Sequence, residues 1–290
     1  VKIFRLILLL AALADPAYAD EKAGMPDLAQ IEQTCLPTST ANLIIWFGHH
    51  GYPRLIQPGA TESDRDLNTV HRIMADTDAR FDWGTQMSMI TYGIERYIHE
   101  AGYDCDVEFR GLAGEKAFSE DWLKENDDPN KGFVLLLGYC HYDPGNNSFS
   151  NAFNAGHAVT LVNYEPDTLL IHDPAHENDE PGRKIVTPQT ITQGTWQETG
   201  LKAPVAGLLL LSGSLLEAPD DSQVMLTGAV CITMHPVPGT GAPASPTPAA
   251  PTPVVAGTAS PSTPASSPAG TSAHPSGGTW WTAILNWIFK

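Results

Sequence analysis

The 290 residues carry 33 acidic against 16 basic side chains, a formal charge of -17. A surface so acidic excludes a protein that grips nucleic acid through its phosphates and favours neutral or basic partners. With 42% apolar residues, the chain is long enough for one sizeable core with additions.

The first twenty residues, VKIFRLILLLAALADPAYAD, place Lys2 and Arg5 before an apolar run, Leu6 to Leu13, and a small-x-small site at Ala17-Tyr18-Ala19. That order predicts a signal peptide over residues 1–19, cleaved after Ala19, since the apolar run is too short for a stable anchor. Export follows, to a secreted, periplasmic or cell-envelope location. Val1 suggests a non-AUG start codon and hence a bacterium.

Next comes the stretch Gln30 to Phe47, QIEQTCLPTSTANLIIWF. Thr34 and the run Pro37-Thr38-Ser39 carry capping and first-turn chemistry, and Ala41 to Phe47 is apolar apart from Asn42. A helix apolar on nearly every side belongs in a core. Its N-terminal amides point at the sulfur of Cys35 and favour the thiolate, which makes Cys35 a candidate nucleophile. Taken alone, a cysteine in an exported chain is more often packed or disulfide-bonded.

The turn Gly48 to Pro53 follows, and its His49 and His50 face different ways, unsuited to sharing a metal. Thr61 to Asp76 reads as a capped helix with Leu67, Val70, Ile73 and Met74 on one face. A further helix opens at Gly84-Thr85, repeats Met87, Ile90, Ile94, Tyr97, Ile98 and Ala101, and ends at Gly102. Asp104 to Arg110 alternates like a half-buried strand, and Phe118 to Glu125 suits a short helix. From Gly132 the pattern changes to five strand-like runs, GFVLLLGYC, HAVTLVNY, TLLIHD, AGLLLLSG and VMLTGAVCITM.

Helices first and strands afterwards predict an α+β domain over residues 25–235, with N-terminal helices packed on a C-terminal antiparallel sheet. Cys105, Cys140 and Cys231 each lie in a strand-like run. With Cys35 free, one disulfide among those three and one leftover thiol are expected. No Cys/His spacing suggests zinc, the acidic run His176 to Glu180 reads as solvated surface, and neither a metal nor a cofactor is implied. Residues 236–279 contain no Asp, Glu, Lys or Arg and are mostly Pro, Thr, Ser, Ala and Gly, which predicts a disordered linker. Residues 280–290 hold three of the seven tryptophans and form a Trp-rich tail. That tail suits a membrane interface or a cell-surface partner, and equally docking back onto its own domain.

The segment Gly156 to Ala175, GHAVTLVNYEPDTLLIHDPA, turns the odds at Cys35. His157 begins one strand, Glu165-Pro166-Asp167 reverses the chain, and Asp173 ends the next strand. A hairpin sets those two ends side by side, so Asp173 can orient the His157 ring while His157 takes the Cys35 proton. A tetrahedral oxyanion needs donors: the Cys35 backbone N–H is one, and the amide of Gln30, with Gln33 as second choice, is the other. The Asn-rich stretch Asp143 to Asn154 reads as a loop on the cleft rim.

Together MPDLAQ…TCLPTSTAN and GHAVTLVNY…IHDPA resemble the C39-like branch of the papain-like cysteine peptidases over most of residues 25–215. The resemblance implies a papain-like cysteine peptidase fold, with Gln30 at the oxyanion, Cys35 as nucleophile, His157 as base and Asp173 as orienter. Many relatives have Gly after the nucleophile where this chain has Leu36, which bears on the cleft entrance and substrate choice. No ATP-binding cassette or transmembrane bundle accompanies the motifs, so cleavage of bacteriocin leaders at double glycine is not implied. The expected function is an exported thiol hydrolase that cleaves peptide bonds through a covalent thioester. The alternatives are a non-catalytic surface-binding module of the same fold, or a transpeptidase or amidase using the same three residues.

Overall fold

The structure, a computed structural model, describes residues 22–236 apart from 81–83, 86, 113, 127, 166, 177–180, 199–200 and 214–221. The expected signal peptide, nearly all of the linker, the Trp-rich tail and most of the acidic run 176–180 therefore lie outside the described residues. No described helix is long and apolar enough to cross a membrane.

Three helices lead the chain: α1 (Cys35–His49), α2 (Glu62–Asp76) and α3 (Met87–Glu100). The expected cap of α2 is a full capping box, with Thr61 Oγ1 accepting from the Asp64 N–H and Asp64 accepting from the Thr61 N–H. Gly102, at φ 78°, ends α3 in the left-handed conformation that glycine adopts without strain. Strand β1 (Cys105–Gly111) and the short α4 (Glu120–Glu125) follow. Eight strands complete the domain: β2 (Lys131–Asp143), β3 (Ser148–Glu165), β4 (Thr168–His172), β5 (Arg183–Thr190), β6 (Thr195–Glu198), β7 (Leu201–Pro204), β8 (Leu209–Gly213) and β9 (Gln223–Met234).

Pairing runs β2–β3–β4–β5–β8–β9 and returns from β9 to β2, so six antiparallel strands close on themselves as a barrel. β1 continues outward along the last residues of β9, and the β6–β7 hairpin attaches in parallel to the start of β3. This overturns the expected α+β, papain-like layout of helices packed on an open antiparallel sheet. The domain is mostly sheet, and its centre is a closed barrel. The physical reason is β5, absent from the expected strands because in RKIVTPQT only Val186 is buried and Pro188 interrupts the pattern. Without β5 between β4 and β8 the sheet has two free edges; with it, every barrel strand is paired on both sides.

Closure creates two apolar cores. Phe133, Leu135 and Leu137 of β2 point inward with Val159, Leu161, Leu169, Ile171, Val186, Leu209 and Leu226. Alternate residues of the same strands, Val134, Ala158, Val162, Val230 and Ile232, face outward against Leu43, Ile44, Ile73, Ile94 and Ile98 of the helices. Strands apolar on both faces thus have one face in the barrel and the other under the helices.

The expected disulfide is not formed, and all four cysteines are free. Cys105 lies in the core beneath the helices, whereas Cys140 and Cys231 face into the barrel. Within the β2–β9 pair, Cys231 stands opposite Phe133 and Cys140 opposite Gln223, far apart along the strands.

Helix α1 is fixed to the barrel wall by buried polar contacts as well as apolar ones. Ser39 Oγ donates to the Ala158 carbonyl at 2.9 Å, and Thr160 Oγ1 donates to the Ser39 carbonyl at 2.8 Å. Asn42 reaches Thr160 Oγ1 with its amide nitrogen and accepts the Leu28 N–H with its oxygen. The helix also approaches β2 closely, for a Cβ on Gly132 would sit 2.2 Å from Leu43 Cδ1, and Leu43 is fully buried. Gly132→Ala is expected to push α1 off the wall and lower stability by about 1–3 kcal/mol, the usual cost of overpacking, measured by urea denaturation.

Candidate active site

Cys35 is the first residue of α1, part-buried and packed at the edge of the helix-side core. The preceding turn is tightly made. Thr34 Oγ1 accepts from the Ile31 N–H and donates to the Ile31 carbonyl, and Glu32 takes a left-handed φ of 52°. The expected side-chain cap by Thr34 is therefore not formed; its carbonyl instead accepts the Thr38 N–H at 2.9 Å. The consequence is chemical: no side chain of the cap consumes the N-terminal amides, and no acid stands in the first turn. The Leu36 amide is left to donate to the Cys35 sulfur, and the Ala158 amide of β3 does the same from across the site.

His157 lies within β3, opposite Leu137, and not at a strand start as expected. The stretch from Asp143 to Asn154 is no separate rim loop, because β2 runs on to Asp143 and β3 begins at Ser148 after a tight turn. What the strands do have is a break in register. Gly138 pairs with Gly156 and Cys140 with Asn151, so residues 152–155 stand opposite Tyr139 alone. The bulge falls immediately before Gly156-His157, a placement that aims a strand residue at a site.

Leu137, Val159 and Ile171 face into the barrel, so by strand alternation His157 and Asp173 share that face, with Tyr139, at the register break, packed against its edge. His157 Nε2 and Asp173 Oδ1 are 2.8 Å apart and both side chains are buried. Asp173 is held from behind: its Oδ1 also accepts the Ala175 N–H at 2.9 Å, and its own N–H donates to the Gly182 carbonyl at 2.8 Å. With Nε2 on the carboxylate, Nδ1 is the ring nitrogen left for the hydrogen bond to Cys35.

The electrostatics follow from that line of groups. Burial pushes the Cys35 thiol up, but the hydrogen bond and positive charge of His157, with the two amides, outweigh it and leave the thiol below its ordinary 9.0. Burial pushes His157 down, yet the bonds to Asp173 and Cys35 raise it to about 9. The two shifts run in the sense of a thiolate–imidazolium pair, each group favouring the charged form of the other.

The glutamines separate. Gln33 is exposed, while Gln30 is half-buried with a buried Oε1 that has no hydrogen-bond partner among the described residues. The Gln30 N–H donates to the Pro174 carbonyl at 2.8 Å, tying it to the residue after Asp173. Leu36 is buried in the core beneath the helices. Among the described residues no group of His, Cys, Asp and Glu is arranged to hold a metal ion.

Sequence reasoning missed Tyr139. Its hydroxyl is pushed up to about 12, first by burial and then by the negative charges of Asp173 and Cys35. It stays a neutral phenol beside Cys35 and Asp173. One tyrosine in an apolar run gives no warning of this, because only the bulge and the barrel end bring it to the site.

A thiol, an imidazole and a carboxylate thus stand in hydrogen-bonded succession, with the thiol at a helix start. The chain belongs to the Peptidase_C39 like family, whose model matches residues 22–204. No curated protein matches the chain. Among solved structures, a candidate C39-like peptidase from Bacillus anthracis aligns at 12% identity over 72% of this chain and 94% of its own, with a TM-score of 0.34.

Iodoacetamide should alkylate Cys35 near neutral pH at a rate well above that of an ordinary thiol, with the site read by mass spectrometry. In His157→Ala the thiol loses its partner while burial remains. Its rate should then fall by about tenfold or more near neutral pH and rise only in alkaline solution.

Proposed function

We propose that this protein is an exported cysteine peptidase that hydrolyses peptide bonds through Cys35, His157 and Asp173. The observation that carries the reading is the 2.8 Å contact between His157 Nε2 and Asp173 Oδ1, which turns the other ring nitrogen towards Cys35. Membership of a peptidase family supports the same reaction class.

In the proposed cycle the Cys35 thiolate attacks the scissile carbonyl carbon, and the carbonyl electron pair moves onto oxygen. The Cys35 N–H and the Gln30 amide donate to that oxyanion. As the intermediate collapses the C–N bond breaks, and the His157 imidazolium gives its proton to the departing amine. The acyl group is then a thioester on Cys35. Neutral His157 takes a proton from water, the resulting hydroxide equivalent attacks the thioester, and cleavage of the C–S bond releases the acid and restores the thiolate. Asp173 holds the ring and stabilises its charged form throughout. The net acidity of the chain favours basic or neutral peptides as substrates. Export by the signal peptide and contact of the Trp-rich tail with a membrane interface or surface partner complete the proposal.

Two outcomes are expected with a peptide library and the purified protein. Cys35→Ala abolishes turnover while circular dichroism stays unchanged, and a thioester adduct on Cys35 is trapped by rapid acid quench of the wild type; retained turnover in Cys35→Ala discards the mechanism. Turnover of the wild type should also fall as pH rises through about 9, where His157 loses the proton destined for the leaving amine.

A further inference from the structure

The segment that leads into Cys35 and the loop that carries Asp173 are joined by one carboxylate. Asp27 lies eight residues before Cys35 in the chain. Its Oδ2 accepts the Arg183 N–H at 3.1 Å, and its Oδ1 lies 3.5 Å from His176 Nε2. His176 lies within the connection from β4 to β5, three residues after Asp173, and Arg183 opens β5, so Asp27 touches that connection at two places. The loop is closed at its base by the bond from the Asp173 N–H to the Gly182 carbonyl.

Space at this junction is fully used. A Cβ on Gly182 would stand 2.3 Å from Asp27 Oδ1, 2.4 Å from His176 Cδ2 and 2.5 Å from the Asp173 carbonyl oxygen. No real side chain tolerates such contacts, so the carboxylate, the imidazole and the backbone of Asp173 meet at a point that only glycine leaves open. Two neighbouring bonds run in the same sense. His172 Nδ1 donates to the Pro26 carbonyl at 2.8 Å, and the Gln30 N–H donates to Pro174. The His176 side chain is 7% exposed and that of Asp27 25%, so the contact is largely withdrawn from water.

We propose that Asp27 is a positioning residue for the site, holding the Asp173 loop in register with the segment that delivers Gln30 and Cys35. Asp27 touches no reacting atom. It acts because Asp173 must sit within a few tenths of an ångström of hydrogen-bonding distance to keep the His157 ring aimed at Cys35, and Asp27 adds a side-chain tie beyond Asp173 to the backbone ties at Pro26 and Pro174. The inference rests on the peptidase reading and deepens it.

The test compares wild type, Asp27→Ala, Asp27→Asn and Gly182→Ala in the full-length mature chain, by the pH dependence of Cys35 alkylation and by kcat and KM on a cleaved peptide. Asp27→Ala should lower kcat about 10- to 100-fold with little change in KM, as expected for a small misplacement of a catalytic group. Its alkylation profile should move towards that of an ordinary thiol. Asp27→Asn keeps an acceptor for Arg183 and should recover most of the loss. Gly182→Ala, which displaces the same carboxylate without removing it, should reproduce the defect and serves as the readout if Asp27→Ala does not fold. Wild-type kcat and alkylation in folded Asp27→Ala or Gly182→Ala would overturn the proposal. An ordinary thiol profile already in the wild type would instead overturn the peptidase reading, so the two failures are told apart.

Discussion

The register between α1 and β3 is the constraint on which the rest depends. Ser39, Asn42 and Thr160 are fully buried, and they bond to one another and to the backbone across the seam between helix and barrel. Each such bond contributes only about 1 kcal/mol net, but an orphaned buried partner costs about 1–3 kcal/mol. A slip of the helix by one residue would orphan several at once. The apolar contacts beneath α1 tolerate sliding; these do not. Because Cys35 opens that helix and His157 precedes the strand residues that receive these bonds, the same polar seam sets the distance between thiol and imidazole.

The barrel supplies the second half of the arrangement. By closing, it gives β2, β3 and β4 a shared inward face, and at one end of that face stand His157 and Asp173, with Tyr139 packed against its edge. A buried imidazole between a thiol and a carboxylate would lose its proton if burial acted alone. Here two hydrogen-bonded partners raise it to about 9, and the charge it keeps draws the Cys35 thiol down. Tyr139, held neutral by burial first and then by Asp173 and Cys35, adds a phenol to the site without adding charge. The unconsumed amides at the start of α1 come from Thr34 turning back to Ile31 in place of capping the helix.

Helices were readable where chemistry is local. The Thr61–Asp64 capping box and the Gly102 stop follow from residues within one turn of one another. β1 and the strongly apolar strands were readable for the same reason. β5, β6 and β7 were not: RKIVTPQT, TWQE and LKAP are short or polar, and they form strands because neighbours already in place offer them free edges. Missing β5 turned a barrel into an open sheet, in keeping with the papain-like layout that the resemblance implied. The disulfide failed similarly, since four cysteines in a chain expected to be exported invite pairing but strand register keeps these apart.

The sequence by itself determined which groups are available: a cysteine at a helix start, a histidine and an aspartate sixteen residues apart in a hairpin, and a glutamine five residues upstream of the thiol. Those are matters of local spacing, and local spacing is written in the chain. Only the tertiary structure decided that the sheet closes, that a bulge brings Tyr139 to the same end, that Gln33 faces water while Gln30 turns inward, and that Asp27 meets the Asp173 loop at Gly182. These depend on strand register and on packing between residues more than a hundred positions apart, and no pattern along the chain encodes such distances.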